Sequence, residues 1–415
     1  MQKTSLFLAI TLVITLKTST TSAHDGAPSS FSAAIDQAWS ISRKQPLADQ
    51  RLAAIKAYQR SNQGWFAGSP ELSGNYSSDR LNQDHGQSEA EVEVEFPLWL
   101  SGQQAIITAT LDSRYSRQKT STQVEKLALA GTVRELYWDA VLKRNSLQSA
   151  QSRLAAAENI AKDVQRHIDS GILADADRLL VRVAVLSAQA EQLSAQQELT
   201  VAEQSYLART GQQQTGHWAV ETQGRSRAVD AHPLIKNSIA ELETTRLEFQ
   251  RIQIEDREHT RLSVGWINER ESRDDRSTNR IQIGFSLPLG KERRNRSALA
   301  EALAVQLEAE VRLAEQKREL EAKISIALSV LDSARLHQQS ADLSQQISSR
   351  RTAMDTAAFE AGELGLQAML ASRNHADEAR QNWQQRQIEA ARSVSNLNQA
   401  LGYLPSEVVA EGIKQ

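Results

Sequence analysis

Four carboxylates stand at every second position of one short segment: Glu89, Glu91, Glu93 and Glu95. Ala90, Val92, Val94 and Phe96 fill the other positions. A strand turns successive side chains to opposite faces, so this spacing predicts one acidic face and one apolar face. A concentrated acidic face draws cations electrostatically; as a solvated strand face it needs only to be polar. Two further acids, Asp175 and Asp177, follow Gly171. They suit the first turn of a helix, where the dipole favours negative charge by about 0.3–1 kcal/mol. Repeated around a symmetry axis, they would instead make an acidic constriction. The histidines (His24, His85, His167, His217, His232, His259, His337 and His375) are scattered. Glu255 and His259 offer two ligands four residues apart, too few for a metal site. No phosphate-cradling glycine loop, nucleophile elbow or metal box is present. These residues predict no catalytic centre and no cofactor.

The acids need strands to hold them, and four are predicted. Ile281, Ile283, Phe285 and Leu287 alternate with Arg280, Gln282, Gly284 and Ser286, repeating the two-faced pattern. Residues 71–77 and 261–268 precede the two alternating segments, and Leu262, Val264 and Trp266 form the apolar side of the latter. Polar, turn-like links at 78–86 and 269–278 make each pair a hairpin with a long exposed loop. Arg280 shares the polar side and offsets part of the acidic charge.

Helices account for most of the rest. The prolines are Pro28, Pro46, Pro70, Pro97, Pro233, Pro288 and Pro405, so 98–232 and 289–404 are free of them. Proline inside a helix costs about 3 kcal/mol, and these two gaps can hold very long helices. Leu147, Leu154, Ala161 and Ile168 recur every seven residues, with Ala150, Ala157 and Val164 between them. That is the narrow apolar stripe of a coiled coil. Leu179, Val183, Leu186, Ala190 and Leu193 continue it, as do Leu313, Leu320, Ala327 and Ala334, and Ala390, Val394, Leu397 and Leu401. Gly171 and Gly362 punctuate the gaps where a helix ends and another restarts, glycine being favoured just past a helix C-terminus. Trp138 and Trp383 fall within helices as packing residues, whereas Trp99 and Trp266 lie in or beside strands.

The chain reads as a duplication. Pro97 and Pro288, Gly171 and Gly362, and Gly211 and Gly402 are each 191 residues apart. The predicted organisation is a first repeat over 24–210, a polar connection over 211–230 on the outside, and a second repeat over 231–415. Each repeat runs helix, hairpin (71–96 or 261–287), long helix, turn, helix. Before them, residues 1–23 read as a signal peptide: Gln2 and Lys3, an apolar run from Leu6 to Leu16, then Thr21-Ser22-Ala23. There is no cysteine, which excludes disulfides and thiolate metal sites. The net charge of -3 argues against nucleic acid as a partner. No later segment supplies the roughly 18 apolar residues of a transmembrane helix, so any membrane crossing must use a β-barrel.

Four strands cannot close a barrel, and an open sheet edge in lipid leaves backbone groups unpaired. Three chains would supply about 12 strands, within the observed range for membrane barrels. A run from Ser101 to Ser170 is 70 residues, about 100 Å as a helix, far beyond a globular core. With the repeat layout, Phe96-Pro97-Leu98 and Leu287-Pro288-Leu289 before the long helices, and Gly171 through Asp177 at the first turn, the chain resembles the TolC family of outer-membrane efflux proteins. Gly362-Glu363-Leu364-Gly365-Leu366 is similar to the heavy-metal branch, although Ala368 stands where Asp177 stands in the first copy.

The resemblance implies a mainly α protein with a small β part: a long helical coiled-coil barrel below a trimeric 12-stranded β-barrel. It implies a homotrimer in outer-membrane lipid of a Gram-negative bacterium, a periplasmic adaptor, and an inner-membrane pump of the resistance-nodulation-division type. Heavy-metal cations are the expected cargo; drug efflux, type I protein secretion and a structural coiled-coil rod are the alternatives. Glu89, Glu91, Glu93 and Glu95 are then expected to line the lumen. Val92, Val94, Phe96, Trp266, Ile281, Ile283 and Phe285 are expected to face lipid. Gly171, Asp175, Asp177, Gly362, Glu363 and Gly365 are expected at the periplasmic tip, as gate or docking residues or as plain helix breaks.

Overall fold

The computed structural model describes residues 31–81, 85–171, 174–213, 220–255, 259–287 and 296–408. The expected signal peptide, Ile172-Leu173, residues 214–219 and Pro288-Leu289 lie outside them. Helices α1 (Phe31–Ile41) and α2 (Lys44–Ser61) lead into strands β1 (Glu71–Ser78) and β2 (Ser88–Pro97), then helices α3 (Gln103–Asp169) and α4 (Asp175–Thr210). The second half repeats the order with α5 (Pro233–Glu255), β3 (Arg261–Arg270), β4 (Thr278–Ser286), α6 (Arg296–Glu360) and α7 (Leu366–Ala400). The single helix expected before the first hairpin is two, broken at Arg43, whose φ is 53°.

With 67 and 65 residues, α3 and α6 each extend about 100 Å. At their far ends Gly171 and Gly362 both have φ +77°, a conformation other residues adopt only with strain. Along the distal half the helices lie side by side in the order α4, α3, α7, α6, while α5 joins α3 to α6 nearer the strands. At mid-length α1 closes the core, with Trp39, Val133, Tyr137, Trp138, Tyr206 and Ile388 buried together.

The expected seam on α3 is used: Leu147, Ala150 and Val164 are buried, the first two against Ala195 and Leu199 of α4. Leu397 and Leu401 at the end of α7 pack on Leu331 of α6, with Ala327 and Val394 at the margin. Leu320 is buried on the same side of α6. The seam read on α4 is a correction. Leu179, Val183, Leu186 and Leu193 are 67, 66, 57 and 72 % exposed, and α4 meets its own chain through Val181, Ala195, Leu199, Ala202 and Tyr206 instead. Both stripes have heptad spacing, so the helix has two apolar sides and this chain occupies one. On α6, likewise, Ile326, Leu336, Leu343, Ile347 and Met354 are uncovered.

Candidate functional site

The strands form one antiparallel sheet, β1-β2-β3-β4, with β1 and β4 as free edges. Its register gathers the two-faced strands into two continuous surfaces. Gly74, Val92, Trp266 and Ile281 lie in one cross-strand row, Leu72, Val94, Val264 and Ile283 in the next, and Phe96, Leu262 and Phe285 in a third. All seven residues expected to face lipid share this surface. Among the described residues no helix packs on it, and Val92, Trp266, Ile281, Ile283 and Phe285 stay exposed. Water-exposed apolar side chains on this scale mark an interaction surface. The hairpins are thus not folded back onto the described helices with their apolar sides hidden.

Glu89, Glu91, Glu93 and Glu95 lie on the opposite surface, joined there by Glu71 and Glu269. The two cations of this face sit near its ends. Arg261 contacts Glu95 at 3.4 Å on the helix side, and Arg280 pairs with Glu269 on the loop side. Among the described residues no ion pair engages Glu89, Glu91 or Glu93. Glu93 faces two glycines across the sheet. A Cβ added to Gly265 would stand 3.8 Å from its Cβ, and one added to Gly284 would stand 4.0 Å from its Oε1. Glu93 therefore has little bulk beside it, whereas Glu91 shares its cross-strand row with Ile267 and Arg280, the latter paired to Glu269.

The six tip positions lie at the opposite end of the molecule, in the two helix-to-helix turns. Asp177 accepts a hydrogen bond from the Ala174 backbone N–H at 3.1 Å, and Asp175 pairs with Arg178 at 2.9 Å. Both acids thus serve the start of α4, where the helix dipole favours them. The Ala358 carbonyl accepts from the N–H groups of Glu363 and Leu364 at 2.9 and 3.2 Å, closing the second turn. Gly365, with φ -75°, opens α7 in a conformation any residue adopts. The two turns are fastened by one apolar cluster: Ile160 and Val164 of α3, Val181 of α4, and Leu366 and Met369 of α7. Further up α7, burial raises the Asp377 carboxyl pKa even though Arg373, Arg153 and Arg380 lie near.

One constellation had no sequence signal. The 211–230 connection was expected as an outer polar loop, yet Glu221 is buried. It receives Nε and Nη2 of Arg134 at 2.9 and 3.0 Å, and Asn398 donates to it at 2.9 Å. Arg134 also donates to the Tyr403 carbonyl at 3.1 Å. This buried fork ties the connection to α3 and to the end of α7. A single acid in a polar stretch carries no mark of its partner 87 residues away.

No protein-family profile and no curated protein matches the chain. Solved structures do match its fold. The outer membrane protein VceC of Vibrio cholerae superposes with a TM-score of 0.71 at 14 % identity, over 90 % of this chain and 96 % of that one. CusC, crystallised in a study of folding and transmembrane channel formation, gives 0.71 at 15 % identity over 92 % and 95 %. The open MtrE outer membrane channel of Neisseria gonorrhoeae gives 0.68 at 13 % identity over 90 % and 88 %.

Proposed function

The chain has the fold of these outer-membrane channels, and we propose that it works as one: a TolC-family subunit forming a passive exit duct rather than an enzyme. The observation that carries this reading is the sheet, whose register assembles an uncovered apolar surface backed by a polar one, between two free edges. Backbone groups at such edges cannot be left bare in lipid. Three copies placed edge to edge satisfy them and close a cylinder of 12 strands. The uncovered stripes of α4 and α6 support the same assembly, because they flank the helical layer on opposite sides and each lacks an apolar partner among the described residues.

In this reading the two repeats, joined by 211–230, descend from the barrel into the periplasm. Their glycine turns meet an adaptor that connects them to a resistance-nodulation-division pump. Glu89, Glu91 and Glu93 line the lumen, and the local field favours cations, which fits an export pathway for heavy-metal ions. Drug export and protein secretion use the same kind of duct and are the competing cargoes. A rod-like envelope protein is disfavoured by the uncovered sheet, which a water-soluble rod has no reason to display.

Purification decides the class. The mature protein should require detergent, run as a trimer, and give unit conductance steps in a planar bilayer. A protein that stays monomeric and soluble without detergent would rule out the duct.

A further inference from the structure

The apolar surface of the sheet is too short for the membrane it is proposed to cross. From Ala90 on β2 to the level of Leu287, exposed just past β4, it covers about eight residue steps, about 27 Å along the strands. A barrel tilt of about 40° reduces this to about 20 Å of height, against an apolar band of about 25 Å in membrane barrels. Something beyond the strands must supply the rest.

On the helix side, the segment between α2 and β1 bends across the end of β2. Ala67 N–H donates to the Pro97 carbonyl at 2.9 Å, and Trp99 Nε1 donates to the Gly64 carbonyl at 3.0 Å. Phe66 stacks on Phe96 with ring centroids 4.9 Å apart, which joins this strap to the apolar surface. Between these tethers Trp65 is 92 % exposed. An indole held bare next to Phe66, the residue that joins the apolar surface, has the chemistry of a membrane boundary, with a ring for the acyl region and an N–H for the headgroups.

We propose that Trp65, with Phe66 and Trp99 behind it, completes the lipid-facing band by docking into the headgroup–acyl boundary of the helix-side leaflet. The proposal rests on the membrane reading above. Depth-resolved fluorescence quenching tests it on the full mature protein in phosphatidylcholine vesicles brominated near the headgroup or deep in the chain. Trp65→Phe loses no packing and should fold normally. It should remove a component quenched by shallow bromines, while Trp266→Phe removes one quenched by deep bromines. If Trp266 is quenched and Trp65 is not, Trp65 sits against water or a neighbouring copy and this proposal fails alone. If neither is quenched, the membrane reading fails with it.

Discussion

At the scale of single residues, three groups have consequences that can be measured. Among the described residues no ion pair engages Glu91 or Glu93. Changing both to Gln should move the reversal potential in a salt gradient toward zero, by weakening cation preference; an unchanged potential would remove these acids from the conduction path. Glu221 and Arg134 have only 2 and 1 % of their side chains exposed. Glu221→Gln leaves a buried guanidinium without its countercharge, an expected loss of about 3–5 kcal/mol that should appear as a lower Tm. His232 is buried, accepts from the Leu234 N–H at 3.1 Å, and has its pKa lowered to about 4 by burial and by Arg227. Between its ordinary value of 6.5 and about 4, the unfolded chain takes up a proton that the folded chain refuses. Stability is therefore full above that window and falls as pH drops through it. His232→Gln should flatten the dependence of Tm on pH between 7 and about 4.5. The acids of the strand were legible in the sequence because alternation is local. The fork was not, because burial of Glu221 depends on how α3, α7 and the connection cross.

At the scale of elements, the strands, the long helices and both glycine turns were legible, because each follows from period or from punctuation: two for strands, seven for coiled coils, glycine at the stops. Hidden from that reading was which side of a two-sided helix meets its own chain. The seam found on α4 was real as a pattern but belongs to the outward side. A heptad gives the existence of a partner and not its identity. The expected consequence is that Leu186→Glu with Leu193→Glu leaves the protomer folded, since these side chains touch little of it, but prevents assembly. Unchanged helicity by circular dichroism with loss of the trimer by light scattering is the predicted pair of results. A trimer that survives would place the interface elsewhere.

At the scale of the whole molecule, the sheet and the distal turns lie at opposite ends of helices about 100 Å long, and under the proposed function the chain spans a compartment as well as a membrane. Deleting it should sensitise cells to zinc, cobalt, cadmium, copper or silver if the cargo is metal; a rise in drug sensitivity alone would assign it to drugs. The two flanks of the chain are unlike: β1 and α4 on one side, β4 and α6 on the other. In the proposed assembly each copy offers one flank to a predecessor and the other to a successor, and a variant damaged only at its distal turns keeps both. Such a variant still takes its place in every mixed assembly it joins. In a cell carrying both alleles, the defect should be dominant over the normal gene.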